Sequence, residues 1–99
     1  MKKLSLAIVM AASLAACAGS GPVKRACLDT DRGASRSSTC TCIQRAADAT
    51  LNGSEQRRAA SLFGDPERAQ AVRLSRTSAD NAFWKRYSRF GETAQAQCR

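Results

Sequence analysis

The chain has 99 residues and no histidine, and its sixteen Lys or Arg against eight Asp or Glu give a formal charge of +8. That length holds one small domain. The missing imidazole excludes Ser-His-Asp and Cys-His nucleophile systems and removes the commonest metal ligand. With no glycine-rich phosphate loop and no pair of carboxylates placed for acid–base work, neither an enzyme nor a bound cofactor or metal is expected.

Met1-Lys2-Lys3 is a short positive start, and the run from Leu4 to Ala16 is interrupted only by Ser5 and Ser13. Those thirteen residues suit the apolar region of a signal peptide and are too few to span a bilayer comfortably. Residues 1–16 are therefore read as a signal peptide. Leu14-Ala15-Ala16-Cys17 resembles the box that ends a bacterial lipoprotein signal: Leu, two small residues, then Cys. The resemblance implies that Cys17 is acylated through its sulfur and becomes the mature N-terminus. Ala18, where an Asp would favour the inner membrane in that family, implies the outer membrane. Ala16-Cys17-Ala18 also fits the small-x-small rule for ordinary secretion after Ala18, and the product would then be soluble in the periplasm or secreted. The lipoprotein reading is preferred, because it accounts for a Cys at that position.

Removing the leader leaves 83 residues at a formal charge of +6, with twelve of the fourteen basic side chains being arginine. Arginine binds carboxylates and phosphates in a bidentate way that lysine cannot. The anionic partners that fit an exported chain are lipopolysaccharide phosphates, anionic lipid or an acidic protein face; the plainer account is that an Arg-heavy composition keeps a small domain soluble. Nucleic acid, the usual reading of a high pI, becomes a minor alternative outside the cytosol.

Export also bears on sulfur. With Cys17 assigned to lipid, Cys27, Cys40, Cys42 and Cys98 remain, an even number that an oxidising compartment turns into two disulfides. Cys27–Cys40 with Cys42–Cys98 is the preferred pairing, and the swapped arrangement stays open. Cys40-Thr41-Cys42 lacks the two-residue spacing and the βαβ setting of a redox motif, and a Cys₄ zinc site would need another spacing.

Ala18–Val23 (AGSGPV) has the composition of a flexible tether, and residues 17–26 are assigned to it, with the domain proper at 27–99. Lys24–Ser38 shows no sustained apolar periodicity, so an irregular segment held by Cys27 is expected, with a turn at 29–33. Thr41-Cys42-Ile43-Gln44 has the form of a capping box. Ile43, Ala46, Ala47 and Leu51 then repeat at helical spacing, which places a helix over about 42–51 with Gly53 as its stop. Ser54 is the expected cap of a second helix whose apolar edge is Ala59, Leu62 and Phe63. Asp65-Pro66 opens a third as N-cap and first helical residue, with Ala69, Val72 and Leu74 as inward positions.

Thr77 or Ser78 caps the fourth and longest helix, with Asp80 near its positive end. Phe83, Tyr87, Phe90, Ala94 and Cys98 follow at steps of four, three, four and four, one continuous stripe. Gly91 within it suggests a close helix contact. The fold class expected is all-α: four short helices stapled by two disulfides, because so thin an apolar core needs covalent help.

Lys85, Arg86 and Arg89 cluster opposite the aromatic stripe, with Trp84 at its margin. A cationic face beside an exposed Trp suits docking on anionic lipid or an acidic protein. The plainer account is a solvated helix face with Trp84 at the edge of the core. Arg57, Arg58, Arg68, Arg73 and Arg76 are also expected to point outward.

The run Cys40-x-Cys-Ile-Gln, Ser54-Glu-Gln-Arg, Phe63-x-Asp-Pro, Phe83-Trp-x-x-Tyr, Phe90-Gly and Cys98 resembles a group of small bacterial envelope proteins, some of which carry the label "arginine transporter". The resemblance spans roughly residues 27–98 and implies at most an accessory role beside a transporter, since no span survives cleavage of the leader. A basic domain is also a poor receptor for a guanidinium, which wants carboxylates around it. The function expected is that of a non-enzymatic envelope lipoprotein facing the periplasm and binding an anionic partner. The alternatives are an arginine-transport accessory and a thiol-active protein using Cys40 and Cys42.

Overall fold

The computed structural model describes residues 20–30 and 36–98. Residues 1–16, expected to be a signal peptide, and Cys17 therefore lie outside the described residues. Within them the fold is all-α, in five helices with no strand: α1 (Pro22–Leu28), α2 (Ser37–Thr50), α3 (Gly53–Leu62), α4 (Pro66–Leu74) and α5 (Ser78–Gln97). Both disulfides have the preferred pairing: Cys27–Cys40 ties α1 to α2, and Cys42–Cys98 ties α2 to the end of α5.

α1 corrects the tether reading. Pro22 starts it at a position where a missing amide costs nothing, and Val23 is completely buried. The domain therefore begins at Gly21 and not at Cys27. What the Gly-Ser-Pro composition concealed is a partner twenty residues away: the side-chain oxygen of Gln44 accepts from the Lys24 amide at 2.8 Å. Gly21 itself is required here. Its φ of 157° is one that residues with a Cβ rarely adopt, and a Cβ would meet the Gln44 side chain at 3.0 Å.

α2 begins at Ser37, one turn before the expected start. Thr41 therefore lies inside the helix and donates its hydroxyl to the Ser37 carbonyl instead of capping. Its buried face is Cys40, Gln44, Ala46, Ala47 and, just beyond, Leu51. The capping box belongs to α3: the Asn52 side chain accepts from the Glu55 amide, and the Glu55 carboxylate accepts from the Asn52 amide, each at 2.9 Å. Ser54 is thus inside α3, and Gly53 opens that helix rather than ending the one before.

The remaining caps fall where the sequence places them. Asp65 accepts from the Arg68 amide with Pro66 next in line, and Thr77 accepts from the Asp80 amide. α4 buries only Val72, with Ala69 partly covered; Leu74, expected inward, is 69% exposed. In α5, Phe83 and Phe90 are buried, and Tyr87 lies between them with ring centroids 5.7 and 5.9 Å away. Gly91 makes no close approach, since a Cβ there would meet nothing within 4 Å.

α2 is the central element and packs against both α1 and α5, while α1 also lies against α3 and α4 rests on α5 and the end of α3. Gly21 meets Gln44 and Cys27 bonds Cys40, so α1 runs antiparallel to α2. Where α1, α2 and α3 meet, the fully buried Gln44 amide nitrogen donates to Gln56 Oε1 at 2.7 Å and to Asp48 Oδ1 at 2.9 Å. Gln56 Nε2 in turn donates to Asp48 Oδ1 and to the Leu51 carbonyl. Among the described residues no buried side-chain nitrogen or oxygen lacks a partner, which is the condition for a polar network inside a core to stabilise it.

Candidate functional site: the basic face of α5

The 20-residue α5 turns its aromatic stripe into the core, and the opposite side is solvated. At 100° per residue, Ser78, Asn81, Ala82, Lys85 and Arg89 share that outer side, and Arg86 flanks it. Together these six line a shallow groove of about 500 Å³. The structure thus brings Lys85, Arg86 and Arg89 together, all exposed.

Trp84 is not part of the groove. It is half-buried against the core, with its ring 5.3 Å from that of Tyr87. One residue before Lys85 is about 100° around the helix, far enough to put the indole on the other flank.

The three cations differ in their surroundings. Arg86 reaches Glu55 on α3 at 2.7 Å. The Asn52 amide and then Arg86 hold the Glu55 carboxyl below its ordinary value, so this counter-charge is ionised at neutral pH. Among the described residues no carboxylate pairs with Lys85 or Arg89. Glu55 is a member of the site that its own position in the sequence does not announce, because 31 residues separate it from Arg86.

The other arginines do not extend this face. Arg58, expected outward, is half-buried: it pairs with Asp80 and lies 4.4 Å from the centroid of the Phe83 ring. The Ser75 hydroxyl and then Arg58 hold the Asp80 carboxyl below its ordinary value. Arg68 pairs with Asp65 at 3.5 Å, and Arg57, Arg73 and Arg76 are exposed but outside the groove.

A second cleft, of about 510 Å³, is lined by Ala26, Asp29, Thr30, Ala60, Phe63 and Gly64 between the ends of α1 and α3. Cys40 and Cys42, the residues of the thiol-active alternative, are bonded to different partners and do not form a dithiol with one another. Among the described residues no three His, Cys, Asp or Glu side chains gather as a metal site would need, and no helix is long and apolar enough to cross a membrane. Compared with protein-family models, with curated proteins and with solved structures, the chain matches none.

Proposed function

We propose that this protein is a non-enzymatic lipoprotein of the cell envelope, anchored through Cys17 and facing the periplasm, whose small helical domain binds an anionic partner through the basic face of α5. The observation that carries the binding role is the groove itself: three exposed cations on two turns of one helix, with one carboxylate, Glu55, set against them. Long cationic side chains without an internal partner are free to meet phosphate or carboxylate groups from outside, and the attraction weakens with salt. Two disulfides in an 83-residue mature chain support export, since such bonds form and persist in oxidising compartments.

An accessory role in arginine transport draws no support from this groove, because its sign repels a guanidinium. The test is charge reversal. The variant K85E/R86E/R89E changes exposed side chains only and, in a form with Cys17 replaced by serine so that no acyl chain holds it to the membrane, is expected to abolish recovery with isolated envelope membranes at low salt. Recovery equal to that of the parent would show the face to be inert.

A further inference from the structure

We infer that the domain does not swing on a tether but is seated on the anionic headgroup layer of the membrane, with the Gly21 end of α1, and Lys24 and Arg25 on it, facing the lipid. The inference rests on acylation of Cys17 and goes beyond it, because a long linker would leave the same anchored domain free. The fold leaves almost no linker. Val23 is completely buried, the Arg25 amide bonds the Gly21 carbonyl, and the Lys24 amide is held by Gln44. The backbone is therefore fixed from Gly21 through α1.

Four residue steps separate Cys17 from Gly21, and an extended chain covers at most about 14 Å in that number. The headgroup layer takes up roughly 5–7 Å of it. What is left is about one Debye length at physiological salt, roughly 8 Å. Lys24 and Arg25 lie within the first turn of α1, where the helix rises only about 1.5 Å per residue. Arg25 is exposed and Lys24 half-exposed. Asp48, the carboxylate of this corner, takes its hydrogen bonds from the amides of Gln44 and Gln56, and among the described residues no carboxylate pairs with Lys24 or Arg25. Phosphate groups of anionic lipid thus meet two cations at close range, whereas an acidic protein would have to enter a gap narrower than a folded domain.

The geometry also names an internal reference. α1 and α3 lie side by side, with Gln56 near the Gly21 end and Phe63–Gly64 beside Asp29 at the other. The seven steps from Gln56 to Phe63 put these ends about 10 Å apart.

The natively acylated, isotope-labelled protein is placed in nanodiscs of phosphatidylglycerol and phosphatidylcholine carrying a paramagnetic headgroup label, and amide signals are compared at the two ends. Loss of the signals of residues 23–25 with retention of those of 62–65 is expected. Inserting about twenty Gly and Ser residues between Gly19 and Ser20, a coil of roughly 25 Å mean reach, should make the two ends equal. Discs of phosphatidylcholine alone should reduce the contrast.

Equal loss at both ends with the native linker overturns the seating, and an undiminished contrast on neutral lipid overturns the role of Lys24 and Arg25. A contrast that appears only when an envelope protein is added transfers the surface to a protein partner and rejects the lipid. A mass measurement on the same sample separates these failures from failure of the anchor: a Cys17 without acyl groups ends both readings, whereas an acylated Cys17 with equal ends ends only this one.

Discussion

The corner where α1, α2 and α3 meet and the arm formed by α4 and α5 are held together in different ways. At the corner, Val23, Cys40, Gln44, Ala46, Ala47 and Ala59 are all completely buried, the Cys27–Cys40 bridge is covered, and two glutamine amides are fully hydrogen-bonded. In the arm, α4 buries a single valine, α5 contributes two phenylalanines, and the closing bridge joins the half-exposed Cys42 and Cys98. Close packing and complete polar satisfaction order the corner. The arm relies on one row of rings, two ion pairs from α3 to α5 and a covalent link over a long stretch of chain. A core this small is not built evenly: its fully buried part surrounds the proposed membrane-facing end, and its basic groove lies on the helix held by rings, ion pairs and a bridge.

The sharpest way to break this contrast is to remove one bridge at a time. On the chain-entropy model, Cys42–Cys98, which spans 56 positions, is worth about 4 kcal/mol, and Cys27–Cys40, which spans 13, about 3 kcal/mol. C42S/C98S should therefore cost about 4 kcal/mol in denaturant unfolding, a large part of the net stability of a small domain. Exposure sets the order of attack: under limiting reductant, alkylation should mark Cys42 and Cys98 before Cys27 and Cys40. The opposite order would mean that the arm is the better-covered region.

Gln44→Ala probes the corner directly. It removes the acceptor of the Lys24 amide and the donor to Gln56, and leaves a cavity in a place with no exposed surface. A loss of about 3 kcal/mol is expected, since each stranded buried group costs about 1–3 kcal/mol and the void adds to it. Proteolysis near α1 should rise in the same variant.

Acid should act between the regions, at the pairs that tie α3 to α5. The carboxyls of Glu55 and Asp80 are depressed below ordinary values of 4.5 and 3.8. A depressed carboxyl contributes stability that is present above the unfolded value and is lost as pH falls through the folded one. Unfolding midpoints should therefore be insensitive to these groups at neutral pH and fall below about pH 4.5. Glu55→Gln should flatten part of that fall. The smallest effect belongs to Leu74→Ser on α4, expected to stay within about 0.5 kcal/mol of the parent because the side chain is exposed.

Much of the arm is legible in the sequence and much of the corner is not, for a physical reason. The α5 stripe, the Asp65-Pro66 start and the Thr77 cap are local signals, carried by residues within one or two turns of each other. α1 is seven residues long, and its burial depends on Gln44 across twenty positions. No local pattern in AGSGPV reports that contact. A signal for α2 did exist: Cys40, Gln44, Ala47 and Leu51 form a stripe at steps of four, three and four, but a glutamine within it reads as polar until Gln56 and Asp48 are seen to satisfy it. Asn52 and Ser54 are both acceptable caps, and only the observed bond from the Glu55 amide selects Asn52. Leu74 continues the helical period yet is exposed, because periodicity cannot show where a helix stops facing its neighbour. Of the groove, Lys85, Arg86 and Arg89 are readable from helical spacing, whereas Glu55 and the withdrawal of Trp84 require the packing of α3 and of Tyr87.

Both the proposed anchor and the two bridges require export with sulfur in covalent use. Intact mass and thiol counting on the protein taken directly from its own envelope test this in one experiment. A chain that starts at Cys17, carries acyl groups and shows no free thiol is the predicted result. A chain that starts at Met1 with its cysteines reduced would contradict it.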